Sequence, residues 1–161
     1  MIDESPLSRE TEADTRAMRI DPDLAANGWE GPAKIDGARV HREEMLWPGR
    51  IMSGGQTNAP KPADYVLRMN GHVMAVMEAK KASLSYTDGR SQAYDYATRI
   101  GARFAYCTNG LRYHEIDMHT GAEQEVDAVP PPSELWDRCY PTGNAWRDRF
   151  GQVPFETDGG K

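Results

Sequence analysis

The 161-residue sequence has little of what soft-metal or redox chemistry needs: it holds two cysteines, Cys107 and Cys139, too far apart for a CxxC pair. They support neither a disulfide framework nor a zinc ribbon, and a reduced, cytoplasmic protein is expected. His41, His72, His114 and His119 show no HExxH spacing and are expected to be solvated. No apolar run is long enough for a signal peptide or a membrane span, so no membrane partner is expected. An excess of positive charge is missing as well, since 19 Lys and Arg stand against 25 Asp and Glu, for a net charge of −6. Non-specific DNA affinity comes mostly from Lys and Arg neutralising phosphates, so any nucleic-acid role must be local or assisted. There is no Gly-rich cofactor loop and no nucleophile motif to support a small-molecule enzyme. The final Gly159-Gly160-Lys161 is not a phosphate loop, because Phe155 stands where the first Gly would be and no Ser or Thr follows. An ATPase motor is therefore not expected in this chain.

With 39% hydrophobic residues the chain can bury one core and is expected to form one domain. "TEADTRAMRIDPDLAANGW" predicts a first helix, with Thr11 and Asp14 at capping-box spacing, Gly28 as the stop and Pro22 as a kink. "ARVHREEML" is a candidate strand, and "SGGQTNAPKP" reads as a loop. "ADYVLRMNGHVMAVMEAKKA", residues 63 to 82, gives two strands joined at Asn70-Gly71, a strong hairpin signal. "DGRSQAYDYATRIGA" predicts a helix with Ala93, Ala97 and Ile100 toward a core and Gly101 as its stop. "FAYCTNGLRYHEIDM" is a second hairpin around Asn109-Gly110. A strand, a helix and another strand in succession imply a parallel crossover and hence a mixed sheet. The expected order is a helix, three strands, a helix and two strands. The Pro- and Gly-rich remainder reads as a tail or linker, with one short helix starting near Ser133.

Side chains two apart on a strand share a face, so Glu78 and Lys80 project together. A carboxylate from the neighbouring strand, Asp64, could complete a hard oxygen site for Mg²⁺ while Lys80 holds or polarises a water, which is a phosphodiesterase arrangement. Glu-x-Lys alone carries little weight, because roughly half of chains this long would contain one by chance at average usage of charged residues. Here the pair ends an apolar strand, an Asp begins the strand before it, and the helix that follows bears Gln92 and Tyr96 at i, i+4 spacing. The bland alternative is an edge strand with a solvated Glu and Lys. Geometry adds a condition. A regular two-residue Asn70-Gly71 turn would pair Met69 with His72 and put Asp64 and Glu78 on opposite faces. A joint site therefore requires a three-residue loop, or a β-bulge between Asp64 and Met69.

Together with "SQAYDYATRIGARFAYCTNG", "EIDMHTG" and the first helix, residues 63 to 82 resemble the PD-(D/E)xK nuclease domain at the N-terminus of the restriction and motor subunit of type I restriction-modification enzymes. The likeness covers roughly residues 8 to 136. It implies an α/β fold of the restriction-endonuclease-like type, a mixed central sheet flanked by helices, over 1–136. Residues 137–161 would then be a tail or linker toward motor domains that this chain lacks. It further implies Asp64 and Glu78 as metal-binding acids, Lys80 as the catalytic lysine, and Gln92 and Tyr96 as the QxxxY pair that contacts DNA and supports the site. Glu12 matches an acid of the first helix that in related nucleases can reach the metal, and its carboxylate would equally suit a helix N-terminus. Ala63 stands where the motif's name has Pro. The ligand set expected for Mg²⁺, with Mn²⁺ as substitute, is Asp64, Glu78, the carbonyl of Ala79, and Glu12. The activity implied is hydrolysis of double-stranded DNA by a type I site-specific deoxyribonuclease. Its partners would be the motor domains, through which alone ATP would act, and the modification and specificity subunits. The same fold could instead serve as a non-cleaving DNA-binding or assembly module.

Overall fold

The computed structural model describes residues 5–45 and 62–141. Its first helical run follows directly from local sequence. After a short α1, Pro6–Arg9, the Thr11 hydroxyl accepts from the Asp14 amide at 3.1 Å and the Thr11 amide donates to the Asp14 carboxylate at 2.9 Å. This capping box starts α2, Glu12–Thr15. The run then widens into a π-helical turn, Arg16–Ile20, where the Asp21 amide reaches the Arg16 carbonyl, before α3, Asp21–Ala26. Pro22 accounts for the widening: its ring crowds the carbonyl four residues back and it has no N–H to offer. Gly28, at φ 87°, reverses the chain after the helix, and the Trp29 indole donates to the Pro130 carbonyl at 2.9 Å.

Six strands follow in sequential spatial order: β1 Ala38–Met45, β2 Pro62–Met69, β3 His72–Ala79, β4 Phe104–Thr108, β5 Tyr113–Asp117 and β6 Glu123–Val126. Every neighbouring pair is antiparallel except β3 and β4, which are parallel and joined by α4, Arg90–Ile100. Gly101 closes α4 in the left-handed conformation. One face of the sheet buries Tyr65, Leu67, Met77, Phe104 and Tyr106 under Ile20 and Leu24 of the first helical run, Trp29 just after it, and Leu135 of α5, Pro132–Cys139. The other buries Val66, Val76, Ala105 and Cys107 under Ala93, Tyr96 and Ala97 of α4. The first helical run is also tethered by polar bonds, because the Tyr65 hydroxyl donates to Asp21 at 2.8 Å and the Tyr113 hydroxyl to Asp23 at 2.7 Å.

Three expectations need correction. A sixth strand was not foreseen: Glu123–Val126 has no apolar alternation, and it pairs with β5 through its backbone and through the Gln124 amide, which donates to Glu115 at 3.1 Å. That strand changes the setting of His114, which is not solvated: it is half-buried beside the Tyr86 ring, its Nε2 3.7 Å from the Glu123 carboxylate. The helix near Ser133 is α5, and it belongs to the core; it runs to Cys139, past residue 136, and its Arg138 holds the buried Glu115 at 2.7 and 3.0 Å. The loop assigned to "SGGQTNAPKP", up to residue 61, and the tail from residue 142 lie outside the described residues. Among the described residues no helix is long and apolar enough to cross a membrane.

Candidate active site

The β2–β3 hairpin meets the parity condition by a bulge whose extra residue is on β3, opposite the Leu67–Arg68 step, and not on β2 between Asp64 and Met69 as expected. Asn70 and Gly71 form a two-residue turn with φ 50° and 81°, as a type I′ turn requires, and Met69 pairs with His72. Pairing then shifts by one between Leu67 and Arg68: Arg68 faces Val73, but Leu67 faces Ala75, and Val66 and Tyr65 face Val76 and Met77. Met74 is the extra residue, and it enters the same core face as its neighbour Ala75. Continuing the shifted register sets Asp64 across from Glu78, both on the α4 face. β3 lies between β2 and β4, so Glu78 is on a central strand and the edge-strand alternative falls away.

Both carboxylates are held. Asp64 Oδ2 accepts from the backbone amide of Ala79 at 2.7 Å, while Arg16 Nη1 lies 3.7 Å from its Oδ1. The Lys80 ammonium sits 3.4 Å from Glu78 Oε1. Glu78 Oε2 is buried without a hydrogen-bond partner among the described residues. Burial and then the neighbouring Asp64 charge push the Glu78 carboxyl up to about 8, against the pull of Lys80. An extended residue sends its N–H and C=O out on one edge, and the Lys80 amide is already bonded to Thr108 of β4 at 2.8 Å. The Ala79 carbonyl therefore faces the Asp64 side, as its amide does.

Gln92 and Tyr96 lie one turn apart on α4. Tyr96, expected to contact DNA and support the site, belongs to the core under that helix and is 5% exposed. Burial, followed by the charges of Glu78 and Asp64, pushes its phenol up to about 12, so the hydroxyl keeps its proton. Gln92 is half-buried. Glu12 sits in the first turn of α2 and is not gathered with the other acids: among the described residues no three His, Cys, Asp or Glu side chains converge as a metal-binding set.

Three residues at the site had gone unnoticed. Glu10 is buried and gripped by Arg19 at 2.8 Å through both oxygens; it also accepts from Thr15, whose hydroxyl takes the Ala82 amide at 3.0 Å and so ties the first helical run to the segment after Lys80. Arg16 stands four residues after Glu12, and that i+4 spacing was its only sequence signal. Gly89 precedes α4 and lies against Glu78, where a Cβ would come within 2.8 Å of the Glu78 Cγ. Nothing local in "DGRSQ" marks that approach.

A mixed six-stranded sheet with helices on both faces, carrying an Asp and a Glu-x-Lys pair on adjacent central strands, defines the α/β restriction-endonuclease-like fold. No family model matches the chain. It is 32% identical over 143 residues to the endonuclease subunit of the type I restriction enzyme EcoAI from Escherichia coli, across 82% of this chain and 17% of that protein. It also superposes on a fragment structure assigned to the HsdR subunit of a type I restriction enzyme from Vibrio vulnificus YJ016, with a TM-score of 0.66, 36% identity, and coverage of 80% of this chain and 25% of that one. The homologues of this chain are thus endonuclease (HsdR) subunits of type I restriction enzymes, and the chain spans well under half the length of each relative it matches.

Proposed function

We propose that the chain is the nuclease domain of such a subunit, a Mg²⁺-dependent endonuclease that hydrolyses phosphodiester bonds of double-stranded DNA within a type I restriction-modification system. The observation that carries this reading is the register shift at Met74, which sets Asp64 beside Glu78 with Lys80 against the same carboxylate. A polypeptide gains nothing in stability from two adjacent carboxylates in a buried place, one with an unpartnered oxygen. The donor set fits a hard divalent cation: Asp64, Glu78 and the Ala79 carbonyl would hold it, and Glu12 is not needed. When bound, such a cation neutralises charge on the phosphate and lowers the pKa of a water at its open positions.

The chain's own side chains do the rest. Lys80 would hydrogen-bond the attacking water or a phosphate oxygen, and among the described residues its ammonium has only the 3.4 Å contact to Glu78 to give up. The Ala79 amide prevents Asp64 from rotating, which preserves the site without ligand. With a net charge of −6 the chain should meet DNA weakly and in a salt-sensitive way, so delivery by motor domains and by the modification and specificity subunits belongs to the proposal. ATP would act only through that motor, and the setting would be the cytoplasm.

The test is incubation with supercoiled plasmid and Mg²⁺ or Mn²⁺, wild type beside Lys80→Ala. Slow nicking that needs the cation, high protein concentration and Lys80 is expected. A folded wild-type chain that binds DNA but never nicks it would favour the non-cleaving assembly module.

A further inference from the structure

Several arginines among the described residues hold a carboxylate with two nitrogens. Arg19 does so with Glu10, Arg42 with Glu30, Arg103 with Asp117 and Arg138 with Glu115. Arg16 differs. It touches two carboxylates through the single nitrogen Nη1, Glu43 at 3.3 Å and Asp64 at 3.7 Å, and among the described residues Nε and Nη2 donate to nothing. Its side chain keeps 22% of its exposure, so the unused side of the fork meets solvent.

Two backbone irregularities meet at this residue. Arg16 opens the π-helical turn, a form found mostly as single turns at functional sites. Glu43 takes φ 53°, which L residues seldom adopt, at the β1 position between the pairs Arg42–Tyr65 and Glu44–Ala63, that is, beside Asp64. Each has a local cost, and together they bring one guanidinium to the outer edge of the carboxylate pair. Lys80 flanks that pair on the Glu78 side and Arg16 on the Asp64 side.

We propose that Arg16 is a phosphate-binding residue of this site: it rests loosely on Glu43 and Asp64 in the free protein and takes a non-bridging oxygen of a DNA backbone phosphate with its free nitrogens. This rests on the nuclease reading. Three carboxyl groups, those of Asp64, Glu78 and Glu43, face two side-chain cations here, and a divalent cation tips that balance in favour of an anion. A planar fork with free donors matches a phosphate, whereas the Lys80 ammonium is a point charge.

The experiment measures binding of a short DNA duplex by fluorescence anisotropy with Mg²⁺ present, across a salt series. It uses the full chain carrying Lys80→Ala to prevent turnover. Adding Arg16→Ala should weaken binding roughly tenfold or more, the worth of one charge-assisted hydrogen bond. It should also lower the slope of log affinity against log salt by about 0.9, one phosphate's share of released counter-ions. Arg16→Lys should keep the slope and lose part of the affinity. Arg16→Gln, closer in shape, repeats the measurement if the alanine variant melts early. An unchanged slope in a neutral variant, with the Lys80→Ala parent binding DNA, would overturn the role of Arg16 alone. A folded parent with no DNA affinity even at low salt and high protein concentration would overturn the nuclease reading and Arg16 with it.

Discussion

Gly89 packs directly on Glu78: a Cβ built at position 89 lies 2.8 Å from the Glu78 Cγ, 3.3 Å from its Cβ and 3.4 Å from the Cβ of Cys107. The missing side chain is what lets the start of α4 close over the acid and bury it. The backbone at Gly89, φ −89° and ψ 4°, is open to any L residue, so the requirement is one of space.

Gly89→Ala should therefore fold and yet deform the site. Overpacking by one methyl costs about 1 to 3 kcal/mol, which for a chain of this size lowers the melting temperature by roughly 2 to 12 °C. The larger effect should fall on Glu78, whose displaced carboxylate no longer meets Asp64. Titration calorimetry should show Mn²⁺ affinity down at least roughly tenfold, about 1.4 kcal/mol. Unchanged Mn²⁺ binding with a lowered melting temperature would mean that Glu78 does not hold the cation.

The raised carboxyl of Glu78 gives a pH signature with a definite sign. An ordinary glutamate titrates at 4.5, and in the folded chain burial and Asp64 move Glu78 to about 8. Between those values the folded state keeps a proton that the unfolded state has lost, so this group's contribution to stability falls as pH rises through the window. Glu78→Gln removes the titration. The gain in unfolding free energy on making this variant should be larger at pH 8 than at pH 5, by on the order of 3 kcal/mol. Urea melts of both proteins with the cation chelated read the difference. Saturating Mn²⁺ should shrink the variant's advantage at pH 8, because the cation takes the proton's place on wild-type Glu78. A gain that is the same at both pH values would show that Glu78 titrates normally.

Much of this arrangement was legible beforehand, for physical reasons that differ by residue. The Thr11–Asp14 cap, the Asn70-Gly71 turn and the Gly101 stop are local devices, and local chemistry is written in adjacent letters. The bulge was legible by logic: a two-residue turn and a shared face for Asp64 and Glu78 are incompatible without an odd residue, and Met74 is that residue. β6 was hidden because an edge strand of Glu, Gln, Glu and Val shows no apolar period, and the partners of its polar side chains, Arg90, Glu115 and Tyr86, lie far away in sequence. Arg16, Glu10 and Gly89 were hidden because their roles depend on which distant element arrives beside them. The same holds for Tyr96, whose spacing showed its helix face but not the depth to which α4 sinks toward the sheet.

That depth separates Tyr96 from Gln92 in a way that mutation can read. Tyr96→Ala empties a site that is 5% exposed in the core under α4, and truncation of a large buried aromatic costs about 3 to 5 kcal/mol. This variant should melt well below wild type, and loss of its activity would then say little about chemistry. Tyr96→Phe keeps the ring and removes only a hydroxyl that burial, and then the nearby Glu78 and Asp64 charges, keep protonated. It should melt close to wild type, and if that O–H serves the loaded site as a donor, plasmid nicking should fall by roughly tenfold, one hydrogen bond to a charged group. Gln92→Ala removes a half-buried side chain from the same helix face and should leave the melting temperature nearly unchanged while slowing nicking. Thermal melts beside nicking rates for the three variants decide the matter. Tyr96→Ala melting like wild type would contradict the core placement, and full activity in both Tyr96→Phe and Gln92→Ala would remove this pair from the active site.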